Sequence, residues 1–178
     1  MDDRFPGLYP VSHGGIFYLQ LQHLLLQSPP RMEWAANSTE LIVQHLNRRQ
    51  NQTAILLCEA NTGKVSSIYN EEDSAWIDIQ ALWDEKYAYG GWDWIENGSE
   101  FLWSSEKDGW RHIYRISRDG KKIKCITNGK YDVMQISSID EKNGFFYFEA
   151  SPDNATQKYL YRTKLDGTGT AMRVTPGN

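Results

Sequence analysis

The sequence predicts an all-β chain built as a partial β-propeller of about three four-stranded antiparallel blades. Three observations carry that expectation. A set of strand and turn landmarks recurs three times in the same order. Asn-Gly and Asp-Gly pairs, which tolerate positive φ in tight hairpins, punctuate the recurrences. Aromatic residues, which favour strands and broad packed faces, are abundant. There are 7 Trp, 10 Tyr and 6 Phe in 178 residues, and six of the seven Trp fall between Trp76 and Trp110.

Residues 1–29 form an uncertain leading segment. Its apolar run, Ile16-Phe-Tyr-Leu-Gln-Leu-Gln-His-Leu-Leu-Leu26, reads as a strand or short helix. It falls short of the roughly 18 apolar residues that a membrane span requires. Gln-Ser-Pro-Pro follows it, where a leader peptide would place small residues. The first blade is expected over about 30–72, with Trp34-Ala-Ala-Asn-Ser-Thr-Glu-Leu-Ile-Val43, then Ala54-Ile-Leu-Leu-Cys-Glu-Ala-Asn-Thr-Gly-Lys-Val65, then Ser67-Ile-Tyr69. The polar stretch from Gln44 to Gln52 reads as a solvated turn between its strands, or as a binding edge.

The second blade, about 74–130, carries Trp94-Ile-Glu-Asn-Gly-Ser-Glu-Phe-Leu-Trp103, His112-Ile-Tyr-Arg-Ile-Ser-Arg-Asp-Gly-Lys-Lys-Ile123 and Cys125-Ile-Thr127. His112 alternates with Ile113, which suits an outward or interface position. The third, about 131–178, repeats the order in Ile139-Asp-Glu-Lys-Asn-Gly-Phe-Phe-Tyr-Phe148, Tyr159-Leu-Tyr-Arg-Thr-Lys-Leu-Asp-Gly-Thr-Gly-Thr170 and Arg173-Val-Thr175. Ile55, Ile113 and Leu160 are separated by 58 and 47 residues, and Ile68, Ile126 and Val174 by 58 and 48. The longer first interval holds an inserted connection, Asp73 to Gly91, rich in aromatic and acidic residues. Its aromatics either pack between blades or face a functional surface, where such connections emerge. A chance-similar β-sandwich is the rival fold, and the threefold order of landmarks decides against it. A closed ring takes roughly four to eight blades. Three blades are therefore expected to be a piece of a longer chain, or to assemble through bare edges.

Composition and motifs narrow the function. Nineteen basic against 23 acidic side chains give a net charge of −4, without the basic excess that phosphate binding demands, so no nucleic acid partner is expected. Cys58 and Cys125 form no CxxC pair; they are two buried thiols or one disulfide. The chain lacks Gly-x-Ser-x-Gly, a phosphate-binding glycine loop and His-Glu-x-x-His. The acidic groups Glu71-Glu72-Asp73 and Asp84-Glu85 read as solvated loop charge rather than a paired-carboxylate site. No catalytic residue, metal ligand or cofactor is expected from the residues themselves. Asn-x-Ser/Thr triplets at Asn37, Asn51, Asn97 and Asn154 carry weight only in a secreted eukaryotic protein.

Several blocks resemble one family. Pro30-Arg-Met-Glu-Trp34, Leu46-Asn-Arg-Arg-Gln-Asn51, Phe101-Leu-Trp-Ser-Ser-Glu-Lys-Asp-Gly-Trp-Arg-His-Ile-Tyr114, Ile126-Thr-Asn-Gly-Lys-Tyr-Asp-Val133, Phe146-Tyr-Phe-Glu-Ala-Ser-Pro152 and Tyr159-Leu-Tyr-Arg162 follow one another in family order. They resemble the N-terminal β-propeller of dipeptidyl peptidase IV-type enzymes of the prolyl oligopeptidase clan, with wording nearest to bacterial members. The resemblance implies an eight-bladed propeller capping an α/β-hydrolase domain that removes dipeptides after a penultimate Pro or Ala. The family's substrate-gripping Glu pair belongs earlier in such chains and its Ser-Asp-His machinery later, so neither maps onto a residue here. It further implies a propeller that gates the cavity, with Trp76 and Trp83 on the connection as cavity-lining candidates. Its implied partners are the hydrolase domain and a peptide substrate. A periplasmic or cell-surface location follows only if the chain behaves as bacterial members do. The competing reading is a free-standing propeller-like interaction module that oligomerises.

Overall fold

The computed structural model describes residues 32–78, 93–154 and 156–176. They form twelve strands in three four-stranded antiparallel sheets. The first sheet runs β1 (Met32–Trp34), β2 (Glu40–Leu46), β3 (Gln52–Glu59) and β4 (Val65–Glu72) in spatial order. The second runs β5 (Asp93–Ile95), β6 (Glu100–Ser105), β7 (His112–Ser117) and β8 (Ile123–Cys125). The third runs β9 (Val133–Asp140), β10 (Phe145–Ala150), β11 (Tyr159–Lys164) and β12 (Met172–Arg173). Among the described residues the only helical piece is a 3-10 turn at Glu96–Gly98, and no helix is long and apolar enough to cross a membrane. The apolar run 16–26 lies outside the described residues.

The chain divides into two compact units, 1–77 and 78–178. In the first, one face of the sheet gathers Val43, Ala54, Leu56 and Cys58, with Leu41 and Val65 beside them. The stretch after β2 proves to be a turn. Asn47 Oδ1 accepts the amides of Asn51 at 3.1 Å and Gln52 at 3.2 Å, while its Nδ2 donates to Asn51 Oδ1 at 2.8 Å. Arg48, Arg49 and Gln50 stay exposed.

In the second unit, two sheets share one core. Ile95, Leu102, Ile113 and Ile126 of the second sheet pack with Val133, Ile136, Phe146, Phe148, Tyr161 and Leu165 of the third. The alternation of β10 sets this up: Phe146, Phe148 and Ala150 are buried, while Phe145, Tyr147 and Glu149 point to the other face and are half-buried. Each fully buried large apolar side chain contributes about 1.5–3 kcal/mol. Tyr131, which precedes β9, stacks on Phe148 with ring centroids 6.0 Å apart. Register shifts of β9 against β10, beside Phe148 and Ala150, interrupt the period-two alternation of β9.

The turns follow their chemistry. Gly98, Gly120, Gly144 and Gly167 all have positive φ, between 67° and 81°. Each of three aspartates closes its turn through its own carboxylate. Asp119 accepts the Ser117 hydroxyl at 2.7 Å and the Lys121 amide at 3.1 Å, which pulls its carboxyl down to about 2. Asp140 and Asp166 are lowered in the same way by Asn143 and Thr168.

Candidate functional site

The most heavily wired part of the second unit is the corner between β6 and β7, in the segment Ser-Glu-x-Asp-Gly-Trp-x-His-Ile-Tyr. The backbone turns at Gly109, with φ 92° and its amide 2.8 Å from Glu106 O. Asp108 Oδ1 accepts the Trp110 amide at 3.3 Å. Arg111 then draws three carboxylates together. Its guanidinium donates to Glu106 Oε1 at 2.6 Å and Asp78 Oδ2 at 3.4 Å, and its amide donates to Asp132 Oδ1 at 2.7 Å. The Val133 amide closes the loop by donating to Arg111 O at 2.8 Å.

His112, the next residue, is 1% exposed. Of the two positions the alternation suits, outward or interface, the structure excludes the outward one: β7 is an interior strand with buried residues on both faces, so alternation there does not separate core from solvent. The imidazole Nε2 lies 3.1 Å from Gly129 O and Nδ1 lies 3.2 Å from Thr127 Oγ1. A carbonyl only accepts, so Nε2 carries the proton and Nδ1 accepts from the Thr127 hydroxyl. Thr127 Oγ1 in turn accepts the Ile113 amide at 2.9 Å. Asp108 Oδ2 stands 3.7 Å from Nε2.

Hydroxyl, imidazole and carboxylate thus occur in the order of a hydrolytic relay. The geometry cannot run one. Thr127 is 0% exposed and its oxygen is already engaged by an amide. The imidazole proton points at a carbonyl rather than at Asp108. This network is a latch that ties the start of β7 to the segment leading into β9. Sequence reasoning singled out the block but did not see that His112 and Thr127 meet. The Thr-x-Gly spacing after β8, beside a histidine opening β7, was the available signal.

Trp76 lies on the segment that leaves β4 and is 67% exposed. Asp73 donates its amide to Asn51 O at 2.9 Å and accepts the Ala75 amide at 2.7 Å, and the Ile77 amide reaches Gln50 O at 2.6 Å. Ile77 is turned inward and Trp76 outward as a result. Trp83 lies outside the described residues, as do Asp84 and Glu85. Cys58 is buried and Cys125 half-buried, and both are free thiols. Burial pushes the Cys58 thiol up to about 11 and raises Cys125 as well, which lowers the reactivity of both. Among the described residues no group of three or more His, Cys, Asp or Glu side chains could hold a metal ion.

The chain matches the family described as dipeptidyl peptidase IV (DPP IV) N-terminal region over residues 22–178. It is 27% identical over 133 residues to the probable dipeptidyl peptidase 4 of Emericella nidulans, covering 72% of this chain and 17% of that protein. It is 27% identical over 145 residues to the inactive dipeptidyl peptidase 10 of Mus musculus, covering 76% and 17%. The fold is similar to the crystal structure of Porphyromonas gingivalis dipeptidyl peptidase 4, with a TM-score of 0.66 at 21% identity, over 82% of this chain and 19% of that one. A putative dipeptidyl aminopeptidase IV from Bacteroides ovatus gives a TM-score of 0.65 at 18% identity, over 82% and 22%. The chain therefore spans about a sixth of the length of these curated relatives. With three four-stranded antiparallel sheets of propeller type and a family match over most of its length, this chain belongs to the dipeptidyl peptidase IV N-terminal region family.

Proposed function

We propose that this chain is a non-catalytic propeller segment of a serine dipeptidyl aminopeptidase that removes Xaa-Pro or Xaa-Ala dipeptides. Its sheets wall and gate the approach to a hydrolase domain. Restricting entry to slender peptides and excluding bulk water are the physical services such a wall performs. Trp76 and Trp83 are the proposed cavity-lining residues, a role that fits an exposed indole held out by an anchored backbone. The family match over 22–178 carries this reading. The buried, amide-engaged hydroxyl of Thr127 supports the assignment of chemistry to another domain.

The test is direct. The purified chain should give no turnover of an Xaa-Pro chromogenic substrate above buffer. Sustained turnover that a serine-directed inhibitor abolishes would assign the chemistry to this chain and overturn the proposal.

A further inference from the structure

Three asparagines in the chain precede a glycine: Asn97, Asn128 and Asn143. The pairing carries its own chemistry. Asparagine is thermally labile, and glycine has no side chain to shield its amide nitrogen from the neighbouring side-chain carbonyl. The structure treats the three pairs differently. Asn143 is fastened. Its amide donates to Asp140 Oδ1 at 3.1 Å, its Nδ2 donates to Asp140 Oδ2 at 2.8 Å, and the Gly144 amide donates to Glu141 O at 3.3 Å. Asn97 is turned away. At φ 55° and ψ 35° its Cβ and the Gly98 nitrogen lie on nearly opposite sides of the Cα–C bond, and Gly98 is buried.

Asn128 has neither restraint. It and Gly129 are exposed on the segment between β8 and β9. Among the described residues, nothing hydrogen-bonds to the Asn128 side chain or to the Gly129 amide. Only the two carbonyls are engaged. Asn128 O accepts the Tyr131 hydroxyl at 3.2 Å, and Gly129 O accepts from His112 Nε2 at 3.1 Å. Tyr131 also explains the glycine, since a Cβ at that position would collide with its ring. The packing that builds the latch thus requires at 129 the residue that leaves Asn128 most open to attack by the next amide nitrogen.

We propose that Asn128 is a self-modifying site whose conversion to isoaspartate releases the latch. The Gly129 nitrogen forms a bond to Asn128 Cγ, the Cγ–Nδ2 bond breaks, and the Gly129 proton leaves with that nitrogen as ammonia. Water, the one co-reactant, then adds its hydroxyl to one carbonyl of the cyclic imide. The bond from that carbonyl to the Gly129 nitrogen breaks, and the nitrogen takes up the remaining proton. Opening at the side-chain carbon gives aspartate. Opening at the main-chain carbon gives isoaspartate. The chain then runs through Cβ and Cγ, longer by one carbon, and the carbonyl that held Tyr131 becomes a carboxylate. Gly129 O is displaced from His112 with it, so the tie between the start of β7 and the segment leading into β9 ages with the molecule. The proposal stands apart from the cavity reading and from any catalytic role.

The test incubates the full 178-residue chain in mildly alkaline buffer made with water labelled in heavy oxygen. Peptide mass spectrometry reads the labelled oxygen gained at each converted asparagine, and a protein isoaspartyl methyltransferase with a labelled methyl donor reports isoaspartate. Asn128 is expected to convert at least roughly fivefold faster than Asn97 or Asn143, the factor that one restraining hydrogen bond is worth. The isoaspartate form, isolated by chromatography, should melt lower than the fresh chain. Asn128→Asp carries the charge on an unaltered backbone and should melt close to the fresh chain. Asn128→Gln should do the same, because the side chain it replaces makes no bond, and should not age at this position. Conversion of Asn97 or Asn143 as fast as Asn128 would overturn the proposal, as would conversion of Asn128 only after unfolding in urea. So would an isoaspartate form that melts with the fresh chain, or an Asn128→Asp chain that melts as low as the isoaspartate form.

Discussion

At the scale of single residues, the determinant that matters most is His112. Its two ring nitrogens are both satisfied, one by the Gly129 carbonyl and one by the Thr127 hydroxyl. Replacing it by Ala leaves a buried carbonyl unpaired and opens a cavity beside Tyr131, whose ring lies 5.7 Å away edge-on. The expected loss is about 2–4 kcal/mol of unfolding free energy. Thr127→Val keeps the shape but strands the Ile113 amide and the imidazole, at about 1–3 kcal/mol. The two share a network, so the double variant should lose clearly less than the sum of the singles. Urea unfolding of the four proteins checks this, and strict additivity would show that the latch is not a unit.

At the scale of elements, the turns were legible from sequence because their chemistry is local. Asp119-Gly120, Asn143-Gly144 and Asp166-Gly167 announce positive φ, and each glycine adopts it. What each glycine meets was not legible, because that depends on the neighbouring sheet. A methyl group at Gly144 would touch nothing within 4 Å, so Gly144→Ala should cost only the backbone strain, about 1 kcal/mol. A methyl group at Gly167 would stand 2.9 Å from Cys125 O and 3.0 Å from the Lys124 side chain, on the outer strand of the second sheet. Gly167→Ala therefore adds a clash with backbone to the same strain and should cost about 2–3 kcal/mol or more. Equal melting shifts for the two variants would refute the close approach. The same divide explains the strands. Alternation sorts β10 cleanly into one buried face and one half-buried face. It does not sort β7, an interior strand where His112 is enclosed, or β9, where register shifts interrupt the period.

At the scale of the whole molecule, the threefold recurrence was enough to reach three sheets, since a unit that repeats its turns repeats its strands. Side chains converging from different loops, such as Arg111 with Asp78 and Glu106, had no periodic signature and came only from the folded chain. The division into two compact units gives a last expectation, because each unit carries one cysteine. Cys58 is 3% exposed and its thiol is pushed up to about 11 by burial. Only about one molecule in a thousand would hold it as thiolate at pH 8, even before access is considered. Cys125, half-buried on the outer strand of the second sheet, is shifted upward to a smaller degree. A disulfide reagent at pH 8 should therefore modify Cys125 at least roughly tenfold faster than Cys58 in the native chain, the Cys58 rate reporting opening of residues 1–77. Low urea should raise the Cys58 rate steeply, because opening exposes buried surface. Single-cysteine variants resolve the two by mass spectrometry. Equal native rates would mean that the first unit opens as readily as the edge of the second, and its apolar cluster of Val43, Ala54 and Leu56 would then not be the closed core described above.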